Sequence, residues 1–241
     1  MSPADWITSQ AKAFDYTVSW LLPVPFFRYA RIFHPAMASD GHPVSWADIA
    51  SWSGRTMHPK AQFEALSAPR LSQMRDHPQP WRVQPTRGAL AEGALSALCQ
   101  ILGRHTRTSD RCWFCLWDGY GELQSHYYGP HGVMLGERGM RPDLRVAVHG
   151  PRVRIPGRAY ILLTGPLDGG HEISRIVARQ TPNLIWPDDH AWLVATEIDL
   201  DSTYVGGSAE AIDDLLTDQR LEAMPVSPDD RITFDSDDRN M

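Results

Sequence analysis

The sequence predicts an α+β protein with a mainly antiparallel sheet from the C-terminal half, covered by N-terminal helices. Helical periodicity dominates the first hundred residues, and β runs closed by turn residues crowd together after Arg111. Strands and helices also fail to alternate in the regular way that a parallel βαβ fold requires. With 241 residues, 42% of them hydrophobic and nine of them tryptophan, the chain carries enough apolar area for a sizeable core.

The elements follow in order. Ser2 and Pro3 suit the cap and first turn of a helix in which Ile7, Ala11, Phe14, Val18 and Leu21 recur at three- and four-residue spacing. Leu22-Pro23-Val24-Pro25 ends it. The next piece, FFRYARIFHPA, reads as a strand buried on both faces. Ser45 caps a short helix through Ser53 that stops at Gly54, and Pro59 opens another over HPKAQFEALS. Pro69, Pro78, Pro80 and Pro85 mark residues 67–88 as a linker and the best place for a sub-domain break. Leu90, Ala94, Leu98, Ile101 and Leu102 then line one side of a core helix ending near His105.

Beyond it CWFCLW, LRVAV and RAYILLTG are three β runs, each closed by turn residues, and the glycine-rich stretch 129–143 is long enough to cover a groove. A strand over 191–200 leads to a turn at Gly206-Gly207, with Ser208 capping a helix to about Thr217. LEAMPV supplies a last strand. Residues 1–226 thus form one domain, and 227–241 an acidic, flexible tail.

Charge is distributed unevenly. Residues 188–241 hold 15 acids against 3 arginines, whereas residues 1–187 hold 14 acids against 20 bases, so the overall −6 is the sum of −12 and +6. It reads either as an acidic C-terminal surface that binds a basic protein partner or as a solvated acidic surface that keeps the chain in solution. No run reaches the roughly 20 apolar residues of a membrane span, and MSPADW lacks the basic region of a signal peptide, so a cytoplasmic location is expected. The near-exclusive use of arginine over lysine points to a GC-rich bacterial genome.

The stretch WPDDHAWLVATEIDLDSTYVGGS carries the candidate site. If the backbone is extended there, Glu197, Asp199 and Asp201 project from one face while Thr196, Ile198 and Leu200 take the other. Asp188, Asp189 and His190, just before the strand, extend the binding surface. The alternative chemistry is a hydrolase or phosphotransfer enzyme in which Glu197, Asp199 and Asp201 hold Mg²⁺ or Mn²⁺. Asp199-Leu200-Asp201-Ser202-Thr203 also matches the nucleophile motif of haloacid dehalogenase-like phosphatases, but too few residues follow to build their alternating β/α core.

Other motifs are weaker. Cys112 and Cys115 have CxxC spacing but lie in a β run, where positions three apart face opposite ways and cannot bridge. A nucleic-acid surface from Arg104, Arg107, Arg111, Arg138, Arg141, Arg145, Arg152, Arg154 and Arg158, with Trp113, Tyr127 and Tyr128, is the second alternative. FFRYARIFHPA, CWFCLWDGYG and WPDDHAWLVATEIDLDSTYVGGS together resemble segments of a family of actinobacterial proteins to which no activity is attached. The Trp-Asp-Gly-Tyr-Gly turn and the late aromatic strand are also similar to features of the SUKH immunity superfamily, a resemblance that implies an α+β fold and toxin binding.

Overall fold

The computed structural model describes residues 2–68, 78–123, 142–176 and 180–240. Helices α1 (Asp5–Thr8) and α2 (Val18–Leu21) precede strand β1 (Arg28–Phe33), the small hairpin β2 (Ala36–Met37) and β3 (Pro43–Val44), and helices α3 (Trp46–Ser53), α4 (Phe63–Ser67) and α5 (Glu92–Gly103). There follow β4 (Cys112–Trp117), α6 (Pro142–Val148), β5 (Arg152–Ile155), β6 (Arg158–Gly165), α7 (Gly170–Ile176), β7 (Leu184–Pro187), β8 (Leu193–Thr196), β9 (Ser202–Gly207), α8 (Ala209–Thr217) and β10 (Ala223–Val226).

The fold is α+β. Eight strands form one antiparallel sheet in the order β10-β1-β9-β8-β7-β4-β6-β5. Among the described residues only β1 of this sheet comes from the N-terminal third, and it is inserted between β9 and β10, with Arg31 opposite Tyr204 on one side and Met224 on the other. Period-two alternation divides the sheet's side chains between two cores. Ala30, Ile32, Phe114, Ile161, Val194 and Val205 meet α5, α7 and α8 on one face. Tyr29, Leu162, Trp186, Leu193 and Tyr204 meet the N-terminal helices on the other, where Ile7, Val18, Trp20 and Leu22 close over them. A third cluster gathers Phe33, Trp46, Ile49, Phe63, Leu66 and Trp81 beside the sheet. On α5 the buried Leu95, Leu98, Ile101 and Leu102 each contribute about 1.5–3 kcal/mol before conformational entropy is charged against them.

Local chemistry sets several element ends. Ser45 caps α3 by accepting the Asp48 N–H at 3.0 Å, and Gly54 stops it in the left-handed region at φ +68. Glu222 adds a cap from far along the chain, its two carboxylate oxygens each accepting an amide of Trp46 or Ala47 at 2.7 Å. This ties α3 to the approach to β10. Ser208 caps α8 through the Ala211 N–H. Gly206 lies within β9 instead of in a turn, and Phe26 packs where its Cβ would sit, the nearest ring atom 2.4 Å away.

Several expectations need correction. The helix read from Ser2 to Leu21 is two short helices, because the intervening backbone pairs elsewhere: Thr17 bridges Arg231, the Tyr16 carbonyl accepts the Ile232 N–H, and Val18 N–H donates to the Asp230 carbonyl. LRVAV is helix α6, with Pro142 at its start, where a missing N–H costs nothing. The strand expected over 191–200 stops at Thr196. Of the linker 67–88, residues 69–77 lie outside the described residues, while 78–88 pack onto the domain through buried Trp81 and a bridge from Val83 to Met37. The loop expected to cover a groove falls almost wholly outside the described residues.

Residues 227–240 do not form a free tail. Ile232 is buried, Asp237 is fully buried, and Asn240 bonds both the N–H and the carbonyl of Thr56. Asp237 accepts from His58 Nε2 at 2.8 Å and from the amides of Gln62, Arg239 and Asn240. Burial raises its pKa, but the bonds from Asn240, Gln62, His58 and Arg239 outweigh it and hold the carboxyl at about 2.

Cys112 packs on the α5 side of the sheet and Cys115 on the other, as strand alternation requires. Burial pushes the thiols of Cys99 and Cys112 up to about 12 and raises that of Cys115 as well. All three are expected to resist a thiol reagent at pH 8 until the chain unfolds, and labelling at the rate of a free thiol in the native protein would contradict these burials.

No helix among the described residues is long and apolar enough to cross a membrane.

Candidate functional site

The acidic motif is a hairpin connection. Thr196 of β8 pairs with Thr203 of β9, and the Leu200 N–H returns to the Glu197 carbonyl, so residues 197–201 turn instead of extending. Glu197, Asp199 and Asp201 therefore do not share a strand face. Asp188, Asp189 and His190 occupy the β7–β8 connection, at the opposite end of β8 and roughly 13 Å away at strand rise. The six expected site residues form two groups.

The first group is tied into the structure. Asp188 accepts from Trp113 Nε1 at 3.0 Å and pairs with Arg111 at 2.6 Å, while Asp189 accepts from the Thr106 hydroxyl and the Arg107 N–H, both at 2.8 Å. His190 sits at φ +56, in the left-handed region, with its ring stacked on Trp6 at 4.2 Å. These bonds fix the connection between β7 and β8.

The second group faces a cleft. Glu197 is buried and accepts from Arg158 Nε at 2.9 Å and from Arg158 Nη2 at 2.7 Å. The same guanidinium reaches Asp199 at 3.3 Å, and the Asp199 N–H closes on the other Glu197 oxygen. Arg158 thus stands between the two carboxylates, where a Mg²⁺ or Mn²⁺ ion would have to sit. Asp201 has a different cation beside it, Arg31 at 3.8 Å. Burial raises the Asp201 pKa even though Arg31 opposes it, as expected for a pair too long for a hydrogen bond. Among the described residues no three His, Cys, Asp or Glu side chains converge as metal ligands.

The cleft measures about 560 Å³. One wall is the turn with Glu197, Asp199 and Asp201; the other holds Phe14, Tyr16 and Trp20 from the N-terminal segment and Arg231 to Asp235 from the C-terminal one. Phe14 and Trp20 pack at 4.4 Å, Tyr16 is half exposed, and Phe234 is 86% exposed. Arg158 lies over the Phe14 ring at 5.4 Å. Asp199 keeps 76% of its side-chain surface open to solvent, in contrast to buried Glu197. Arg87 enters from the segment behind, where Gly88 bonds the Leu200 carbonyl. Gly88 stands at φ +72, and a Cβ there would meet the Ile198 carbonyl oxygen at 2.8 Å, so only glycine permits the approach.

Phe14, Tyr16 and Phe234 carry no functional signal in the sequence, since they lie far from residue 197 and in no motif. Several arginines of the nucleic-acid alternative are engaged within the fold. Arg104 pairs with Asp214, Arg111 with Asp188 and Arg158 with Glu197, while Arg152 bonds the carbonyls of Val148 and Gly150. Arg138, Arg141, Tyr127 and Tyr128 lie outside the described residues.

A hydroxyl–imidazole pair lies behind the acidic turn. His34 Nδ1 faces the Thr86 carbonyl at 2.7 Å, and a carbonyl only accepts, so Nδ1 carries the proton and Nε2 accepts from the Thr203 hydroxyl at 2.9 Å. Thr203 in turn accepts from Thr196 at 2.8 Å. Thr203 is fully buried, and burial brings the His34 pKa down to about 4, so the imidazole is a weak base holding a structural hydroxyl.

No protein-family model, curated protein or solved structure matches this chain. The functional reading rests on the geometry of the cleft.

Proposed function

We propose that this chain is a non-catalytic interaction protein that takes a basic segment of a partner protein into the cleft beside the β8–β9 turn. The carrying observation is Asp199, an exposed carboxylate at the rim of a cleft whose other wall presents exposed aromatic rings. Such a pairing suits an arginine or lysine, whose charge meets the carboxylate while its head or stem lies on a ring. Arg158 already uses that mode from within, lying over Phe14 and bonded to Glu197 and Asp199. A partner's arginine at Tyr16 and Phe234 would repeat it. The net charge of −6 adds a long-range attraction for basic chains, although ion pairs within the fold neutralise much of the C-terminal acid.

The test is titration of a fluorescent arginine-rich peptide, with Asp199→Asn and Tyr16→Ala combined as the variant. Neither side chain is buried, so the fold should persist. Affinity is expected to fall about ten-fold or more, and the wild-type affinity to weaken with salt. Equal binding by the variant, with an unchanged circular dichroism spectrum, would remove the cleft from the proposal.

A further inference from the structure

A second cavity, of about 480 Å³, lies on the far side of the segment that supplies Arg87 to the cleft; Thr86, the preceding residue, lines it. Pro35, Met37, Leu90 and Leu95 give it an apolar body. Its volume falls in the range of small-molecule sites, which pair apolar walls with a few polar groups. Those groups are specific here. Gln180 Oε1 is buried and has no hydrogen-bond donor among the described residues, although a buried acceptor is nearly always paired. Glu92, exposed at the start of α5, adds a carboxylate at the rim. The Thr86 carbonyl accepts from His34 Nδ1 and Thr181 Oγ1 from the Leu90 N–H, and the His171 ring completes the polar lining.

A buried acceptor without a donor and a carboxylate at the rim of an apolar cavity suit a donor with positive charge on an apolar body. We infer that this cavity binds a small amphipathic primary amine, whose ammonium group donates to Gln180 Oε1 and faces Glu92 while its hydrocarbon part lies against Pro35, Met37, Leu90 and Leu95. An acid of the same shape would meet Glu92 with like charge, and an alcohol would lack the charge.

Phenethylamine, hydrocinnamate and phenethyl alcohol are the probes, read by isothermal calorimetry and thermal shift on the full chain. The amine is expected to bind and raise the melting temperature, and the other two to do so at least ten-fold more weakly. Gln180→Met keeps the side chain's length and removes the acceptor, so the amine's Kd should rise about ten-fold or more. Ala91→Phe, at the exposed mouth, should also weaken it without touching the core. Asp199→Asn should leave it unchanged, which separates this cavity from the cleft. Equal binding of the acid or the alcohol, no binding of the amine, or amine binding that survives both Gln180→Met and Ala91→Phe overturns the inference.

Discussion

Replacing Arg31 with alanine is expected to lower the free energy of unfolding by roughly 3–5 kcal/mol, the usual cost of breaking a buried charge network from one side. Arg31 is 3% exposed. Its Nε donates to Ser202 Oγ at 2.9 Å, and its Nη1 donates to the Pro59 and Ala61 carbonyls at 3.0 and 2.8 Å. The guanidinium lies over Phe33 at 4.5 Å and near Trp46 at 5.4 Å, so it joins β1 and β9 to the third hydrophobic cluster. Alanine would strip a donor from two carbonyls and leave Asp201 without its nearby cation. Lysine would restore the charge but not the fork of donors, and is expected to recover less than half of the loss. Urea unfolding of the three proteins decides the matter. A loss below about 1 kcal/mol for the alanine variant would show that Arg31 is not holding these elements together.

The second large effect is acid destabilisation through His34. Burial lowers its pKa from the ordinary 6.5 to about 4, so as the pH falls the unfolded chain takes up this proton before the folded one does. Stability from this group is complete above pH 6.5 and drains away as the pH approaches 4, by on the order of 3 kcal/mol in all. Below that the curve steepens for another reason, because Asp218 and Asp237, both held at about 2, begin to lose their bonds. His190, whose pKa is also lowered by burial, adds a smaller slope in the upper window. Unfolding free energies measured every half unit between pH 7 and pH 4 should therefore slope downward in the wild type and much less in His34→Gln. Parallel curves for the two proteins would place the acid sensitivity elsewhere.

Where the sequence was read correctly, the signal was local. Ser45 and Gly54 bound α3 by cap chemistry that involves no distant residue, and β4 and β6 are apolar β runs closed by turn residues. LRVAV resembles a strand because Val146 and Val148 alternate with other residues over a short span, whereas Pro142 ahead of it is the signal of a helix start. The acidic turn misled for a different reason. Ile198 and Leu200 prolong the apolar alternation of β8, but pairing of Thr196 with Thr203 fixes where the strand ends, and that pairing is tertiary. The carboxylates themselves were visible, yet Arg31, Arg158 and the aromatic wall lie far away in the chain and left no pattern near residue 197. The charge asymmetry was likewise correct as arithmetic. Its use is partly internal, since Asp213, Asp214 and Asp188 pair with Arg28, Arg104 and Arg111.

The placement of β1 has a consequence for biosynthesis. Its residues leave the ribosome well before the strands on either side of it, β9 and β10, which lie far along the chain. A ribosome stalled at Thr196 would hold a chain whose oldest sheet strand has neither of its neighbours, with apolar Ile32 and Phe33 awaiting cover. Completion of the sheet therefore waits for β9 and β10, and until they emerge the apolar side chains of β1 are open to association with other unfinished chains.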